Sequence, residues 1–460
     1  MLKSAIWLFI LLVGFGLMFF SYWNYGRIAE PTPWTEAFMY VGKGEAGPEA
    51  QLFACTRARI VLLPPSEVTR AFLDGFEGAN PGAGGALRRA LREKAVFYPE
   101  FRRDFTPAAL GSGRLPAPGM DEVLAGCDAA HRDSVSILGR AFNVVGVLGR
   151  SATVFADAYI IPGDSAPAGL FGADAGEVQD AYIFAMSRRE LRSAVTAEAL
   201  AAAFSKRGFV LVAPDARIGA APYYLYLLGL ALLLLGGTGL FFRLFVFLAC
   251  IFRGRVLGPP LAAISQWPRL FWAMHLAAFG GLVVVGALAY LVPPLQTSGL
   301  HMIQQSTREP YSPLGVAAKA YASGSMPWAA AVTLAVNFFL GSLAVITVPS
   351  VIVPGAGAAM LALRSAVIGL LLAPSTVTLA GMMLPHSFTI LVEMEAYIVA
   401  AFFALMIPIY IFRKQEGPTV LRRYGRALLL NLKGNLIVFI ILAVAAAYEA
   451  VEVILQMQMR

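Results

Sequence analysis

Between Lys319 and Glu393 the chain has a single formally charged side chain, Arg364. A stretch that long and that apolar cannot be a solvated surface. It must lie in lipid or in protein at membrane depth, where the backbone satisfies its own polar groups by forming helices. Composition extends the conclusion to the whole chain of 460 residues: 58% are hydrophobic and 14% charged, against roughly 25% charged in soluble domains. The sequence therefore reads as a polytopic α-helical membrane protein.

Apolar runs of spanning length mark about seven crossings. The first, Ser4 to Trp23, follows Lys3 and closes on Phe19, Phe20, Tyr22 and Trp23. Signal-peptide cleavage requires small residues at that position, so residues 1–24 read as an uncleaved anchor with its N-terminus in the cytoplasm. Six further spans fall at about 223–251, 270–292, 328–349, 355–374, 388–412 and 435–455. Within 350–387 the prolines Pro349, Pro354, Pro374 and Pro385 interrupt the apolar text, the pattern of a broken or re-entrant pair.

Charge sets the expected topology. The net charge of +8 is dispersed or sits beside apolar spans, which argues against nucleic-acid binding and for the positive-inside rule. Arg253, Arg255 and Arg269 flank the second and third spans on one side, and Arg413 to Lys433 holds six basic residues against Glu416 alone. Both clusters become cytoplasmic if the N-terminus starts inside. Residues 25–221 are then an extracytoplasmic domain and 222–460 a helical bundle, placed in a bacterial inner (cytoplasmic) membrane.

Residues 25–221 have an ordinary globular composition and read as an α+β domain. Strands are expected at Ala58–Leu63, Phe142–Leu148, Ala158–Ile161 and Gly208–Val212, short apolar runs bounded by Gly and Pro. Helices are expected at Glu67–Phe76, Ala86–Lys94 and Arg188–Lys206, and loops at Gly75–Gly85 and Gly111–Gly119. Cys55 and Cys127 fall in this domain and Cys250 in a span. A Cys55–Cys127 disulfide and two unpaired thiols are both open in an oxidising compartment, and no metal spacing is present.

The candidate site is the short set of polar residues within apolar spans: Asn337, Arg364, His386, Glu393, Glu395, Glu449 and Glu452. Each charge at membrane depth costs roughly 2.5–3.5 kcal/mol on insertion scales, so each calls for a partner or a task. Counted from the span ends, Asn337, Arg364, Glu393 and Glu449 all fall in the outer half of the bilayer. Arg364 is placed to neutralise Glu393 or Glu449 in a cluster opening outward. His386, at a helix start, shares a face with Glu393 if the helix continues through Ser387. The cluster reads as glue between helices, as a proton, ion or ligand site, or as a docking surface. His275 reads as a packed or interfacial histidine, and His131 and His301 as solvated.

No catalytic residues are assigned, because H-E-x-x-H, G-x-S-x-G and G-x-x-x-x-G-K-[ST] are all missing from the sequence. No metal or cofactor is expected, and any ATP would be bound by another subunit. The turn Gly82 to Gly85 has no lysine to make it a phosphate loop.

Two resemblances follow from particular residues. Asn337-Phe338-Phe339-Leu340-Gly341, the Pro354-Gly355 turn, Leu384-Pro385-His386-Ser387 with Glu393 and Ala396, and Ala446-Ala447-Tyr448-Glu449-Ala450 resemble the stage II sporulation protein M (SpoIIM) family from about residue 270 onward. Ser387 stands where that family has glycine, about one turn is added between histidine and glutamate, and Arg364-Ser365 replaces a common Asn-Gly. Members of the family look like non-enzymatic scaffolds for peptidoglycan-remodelling complexes. Arg140 to Leu148 and Phe155 to Pro162, after an anchor helix, are similar to the periplasmic domain of MacB/FtsX-type ABC transporter permeases.

Together these imply a non-catalytic, permease-like membrane subunit of a cell-envelope complex, coupled to a separate ABC-type ATPase for export or mechanotransmission. The ATPase would dock on 253–269 and 413–434, with Arg422, Arg423 and Arg426 as contacts, as lipid anchors or as plain positive-inside residues. The alternatives are a scaffold recruiting periplasmic or envelope proteins and a proton- or ion-coupled secondary transporter. Expected partners are membrane lipid, that ATPase, envelope proteins and further copies of the chain, with no nucleic acid.

Overall fold

The computed structural model describes residues 2–28, 37–45, 55–63, 94–127, 129, 132–149, 153–163, 178–184, 202, 204–212, 218–292, 295–296, 299–300, 303, 306–307, 309, 311–412 and 419–458. The expected helices at 67–76 and 86–93, the loop at 75–85, most of the helix at 188–206, and His131 and His301 lie outside the described residues.

The membrane part consists of helices α1 (Leu2–Ile28), α2 (Ala220–Ile251), α3 (Gly258–Gln266), α4 (Pro268–Leu291), α5 (Pro313–Ala322), α6 (Met326–Ile352), α7 (Ala356–Leu371), α8 (Val377–Phe412) and α9 (Val420–Gln458). Among the described residues, six helices (α1, α2, α4, α6, α8 and α9) are long and apolar enough to cross a membrane. The chain is a multi-pass membrane protein with a separate β-sheet domain.

The expected span at 355–374 is the shorter helix α7, of 16 residues. It rises about 24 Å, and the chain after it places the Ser375 carbonyl 2.9 Å from the Ile218 amide, just before α2. The stretch 350–387 is thus interrupted twice, at 353–355 and at 372–376, on either side of α7. Gly355, at φ 88°, makes the left-handed turn into α7, a conformation that costs glycine little. Pro374 falls in the connection after α7, and Pro385 is absorbed inside α8.

Helices α1 and α2 pack backbone to backbone. A Cβ on Gly229 would sit 2.7 Å from the Gly14 carbonyl oxygen, and one on Gly236 would sit 2.5 Å from the Leu11 amide nitrogen. Gly239 faces the Trp7 ring, and the Ser21 hydroxyl donates to the Pro222 carbonyl at 2.5 Å. Contacts that advance along α1 retreat along α2, so the pair is antiparallel. Small residues matter here because lipid gives no hydrophobic drive to helix association, and close approach maximises dispersion contacts. The β-sheet domain is inserted between the two, so the C-terminus of α1 and the N-terminus of α2 define a domain-bearing end of the bundle.

Helix α8 is the axis. From Met394 to Ala404 every residue is buried, as expected for a helix that is apolar all round and surrounded by others. It starts at Val377, and α9 starts at Val420. The expected spans at 388–412 and 435–455 are therefore each extended at their N-terminal ends, and Arg422, Arg423, Arg426 and Lys433 lie on a helix rather than in a loop. Glu393 lies about 24 Å along α8, not one or two turns from its start.

In the domain, ten strands form one sheet in the order β10-β1-β9-β2-β3-β8-β5-β7-β4, with β6 paired to β7. They are β1 (Phe38–Gly42), β2 (Thr56–Leu62), β3 (Lys94–Tyr98), β4 (Leu110–Gly113), β5 (Glu122–Ala125), β6 (Ser134–Ile137), β7 (Arg140–Leu148), β8 (Ala158–Pro162), β9 (Val178–Phe184) and β10 (Val210–Val212). The pairs β3/β8 and β5/β7 are parallel and the rest antiparallel. Ile60, Val96, Leu124 and Ile160 pack on one face, while Phe97, Val123, Tyr159 and Ile161 pack on the other. Burial on both faces makes β8 a continuous apolar run rather than an alternating one.

Two expectations fail here. Leu110–Gly113 is a strand inside the expected loop 111–119, and Lys94 opens β3 instead of ending a helix. No disulfide joins Cys55 and Cys127. Strands β3 and β8 lie between β2 and β5, which separates the two cysteines by about 14 Å at ~4.8 Å per strand, beyond the reach of a bridge.

Candidate functional site

Residues 386, 389, 393 and 397 of α8 recur at helical spacing, so His386, Thr389, Glu393 and Tyr397 share one face. Together they form a column about 16 Å long. Helix α9, antiparallel to α8, supplies Glu449 and Glu452. His386 Nδ1 lies 3.3 Å from Glu452 Oε1, and the Thr389 hydroxyl donates to Glu452 Oε2 at 2.8 Å. Gln456 donates to the same carboxylate at 3.2 Å, and the Tyr448 hydroxyl donates to the Pro385 carbonyl at 3.2 Å.

The column begins nearest the domain-bearing end, where Tyr321 of α5 shares a hydrogen bond of 2.9 Å with Thr333 of α6 and also reaches the Glu449 carboxylate. Burial, followed by the Glu449 charge, pushes the Tyr321 phenol above its usual range.

Deeper in, Arg364 of α7 closes the column. Its Nη2 donates to Glu393 Oε1 at 3.1 Å and to the Tyr397 hydroxyl at 2.6 Å, and Tyr397 donates to Glu393 Oε1 at 2.8 Å. The guanidinium lies 3.7 Å from the centre of the Tyr397 ring, a cation–π contact on top of the ion pair. Helix α6 makes room for it. Residues Val336–Thr347 are wound as a π-helix, a rare winding that is frequent at functional sites. A Cβ on Gly341 would stand 3.0 Å from both Arg364 Nη1 and the Tyr397 hydroxyl.

Electrostatics make the column unusual. Among the described residues three carboxylates, Glu393, Glu449 and Glu452, face one permanent cation, Arg364, with His386 between them. Glu393 and Arg364 are 18% and 26% exposed, so this pair lies nearer the bundle surface than the fully buried core of α8. Beyond Tyr397 polar groups resume toward the opposite end. The Ser342 hydroxyl is buried with no described partner, and Asn435 donates to the carbonyl and side chain of Asn431 at 3.0 Å.

The expected cluster is thus brought together except at two positions. Asn337, on the π-helical stretch, is half-buried and makes no hydrogen bond to a described residue. Glu395 points the other way: two residues along a helix is about 200° of rotation. Its Oε2 lies 2.8 Å from His275 Nε2 of α4, with side chains 0% and 2% exposed. His275 Nδ1 lies 2.8 Å from the Phe271 carbonyl, and Glu395 Oε1 has no described partner. His275 is packed, as its sequence context suggests, but into a buried acid–imidazole pair. Tyr397, Tyr321 and Thr389 were missed as well. Tyr397 was findable, being one turn past Glu393 on the stripe, whereas Tyr321 and His275 belong to other helices.

At the opposite end Arg422 and Arg426 are exposed on one face of α9 and Arg423 is half-buried beside them. Among the described residues no group of three His, Cys, Asp or Glu side chains converges as metal ligands. No family description, curated protein or solved structure matches the chain.

Proposed function

We propose that the chain is a non-enzymatic, permease-like membrane subunit of a bacterial cell-envelope complex, with the column along α8 as its working element. The supporting observation is the charge imbalance: three carboxylates against one guanidinium, at membrane depth and partly exposed. His386, Thr389 and Gln456 meet Glu452, which leaves Glu449 as the carboxylate of the column with no ion pair among the described residues. An uncompensated charge in an apolar bundle is too costly to persist, since even one broken buried pair costs about 3–5 kcal/mol. The column therefore takes up protons or small cations, and its load sets how α7, α8 and α9 pack. In this reading the N-terminus and the 413–434 region are cytoplasmic, the β-sheet domain is periplasmic, and the membrane is the inner one.

The antiparallel α1–α2 pair favours a mechanical output. Both strands of chain entering the β-sheet domain leave one rigid hairpin, so a shift of the bundle reaches the domain directly. A separate ABC-type ATPase docked on Arg422, Arg423 and Arg426 is the second energy source compatible with this arrangement. The resemblance to SpoIIM-type scaffolds supplies the passive alternative.

The test uses the full chain in proteoliposomes, with an imposed pH or sodium gradient and a pH-sensitive dye or labelled sodium as the probe. Gradient-driven flux, or gradient-dependent protease protection of the β-sheet domain, is expected for the wild type and lost in E393Q and E449Q. An unchanged response in folded variants removes the ion-coupled reading. Cross-linking from position 422 in native membranes then decides between an ATPase and a wall-remodelling partner.

A further inference from the structure

The opposite end of the bundle holds a second feature that the column does not use. An open groove of ≈ 630 Å³ lies between the end of α2, the turn before α3 and the flank of α9. Arg253 and Arg255 line it from the turn, Ser265 and Gln266 from α3, and Lys433 from α9. Among the described residues no acidic side chain lines it. None of the three cations forms an ion pair with a described residue, although Arg255 lies over the Phe252 ring. Cations gathered in a concave site repel one another, so the arrangement is stable only with an anion or with water in the groove.

The surroundings identify the anion. Val256 lines the groove and is 57% exposed, and Phe247 and Ile251 on α2 and Leu432 on α9, each next in sequence to a lining residue, are 61%, 48% and 67% exposed. A free phosphate would leave these apolar surfaces in water. A phospholipid places its phosphate among the cations and its acyl chains along the exposed residues, which matches basic pockets between transmembrane helices that hold anionic head groups. The Ser265 hydroxyl donates to the Ala262 carbonyl at 2.8 Å and keeps its acceptor lone pairs, so with the Gln266 amide it suits the glycerol hydroxyls of a head group better than a bare anion.

We infer that Arg253, Arg255 and Lys433 form a binding site for one anionic phospholipid, seated between α2 and α9 with its phosphate in the groove. Lipid bound there ties the α1–α2 pair to α9, which supplies Glu449 and Glu452.

The experiment is native mass spectrometry and thermal unfolding of the full-length protein in detergent. Phosphatidylglycerol, cardiolipin, phosphatidylcholine and inorganic phosphate are added separately. Wild type should retain and be stabilised by the anionic lipids, not by phosphatidylcholine, with millimolar phosphate failing to displace them. Each basic residue near an anionic head group contributes about fivefold, so R253Q/R255Q/K433Q should weaken retention on the order of a hundredfold.

A control, R269Q, removes a basic residue from the same end outside the groove and should retain lipid. Loss in R269Q equal to that in the groove variant, equal binding of phosphatidylcholine, or displacement by phosphate would overturn the inference. Should the groove variant not fold, a photoactivatable phosphatidylglycerol on wild-type protein must label peptides covering 246–266 or 429–436. Labelling confined to other segments would overturn it equally.

Discussion

Replacing Arg364 by leucine tests the charge imbalance directly. At 3.1 Å and an effective dielectric of about 20, the Arg364–Glu393 attraction is roughly 5 kcal/mol. The pair is a quarter exposed, so desolvation and screening reduce the net cost of breaking it to about 2–3 kcal/mol. For a bundle of this size that is a fall in unfolding temperature of about 4–6 °C. The loss has two parts: the contacts of the guanidinium with Tyr397, and an orphaned carboxylate beside Glu449 and Glu452. Only the second part is removable by a further mutation. The double variant R364L/E393Q should therefore recover about half of the lost stability in a fluorescence-detected thermal scan, although it has lost one more native side chain. A double variant no more stable than R364L, at neutral pH, would refute the electrostatic account and leave packing as the whole effect.

Further outcomes follow from other contacts. Gly236→Leu forces a side chain into the Leu11 backbone and should lower the thermal midpoint by the equivalent of about 1–3 kcal/mol, whereas the same change at Gly280, where nothing lies within 4 Å, should be nearly neutral. In the β-sheet domain the Arg114 guanidinium, then the Ala117 amide, hold Glu122 down to about 2. That stabilisation is complete above the unfolded carboxylate range and is lost as pH falls through about 2, so R114Q should be less stable than wild type at pH 6 but not at pH 2. Glu395→Gln keeps a hydrogen-bonding partner for His275 and should disturb folding less than His275→Leu, which leaves Glu395 buried alone; a cell-surface expression and melting series ranks them. A periplasm-active reporter inserted at the exposed turn of Gly119 should be active, and one at Gly254 inactive.

Much of the membrane part was legible because apolar run length is a physical requirement of the bilayer. The boundaries were less so. Proline was read as a stop at 385, yet α8 runs from Val377 through it, because a transmembrane helix can satisfy the freed carbonyls with neighbours. That error shifted Glu393 in depth and hid the continuity of the His386–Tyr397 stripe. The pairing of Arg364 with Glu393 followed from the scarcity of charge: a lone arginine at depth must meet one of few acids. The pairing of His275 with Glu395 did not, since residues 120 positions apart meet only through helix packing. In the domain, strands buried on both faces such as β8 stood out, while β5 and β6, each four residues long, are too short to show a period.

The two acids of α8 separate the mechanical from the adhesive reading of the bundle. Glu393 and Glu395 sit at one depth on opposite faces, held by α7 through Arg364 and by α4 through His275, and α4 and α7 meet each other at Leu282 and Gly369. A rotation of α8 large enough to move Glu393 away from Arg364 must also pull Glu395 from His275, so neither pair opens alone. Simple glue would need only one of them. The His275–Glu395 pair is fully buried and the Arg364–Glu393 pair partly exposed, so under the proposed function a change of load on one side of α8 would be resisted by a fixed hydrogen bond on the other. Under that proposal such opposition would give the helix two discrete positions instead of a continuum, because packed interfaces switch and do not deform smoothly.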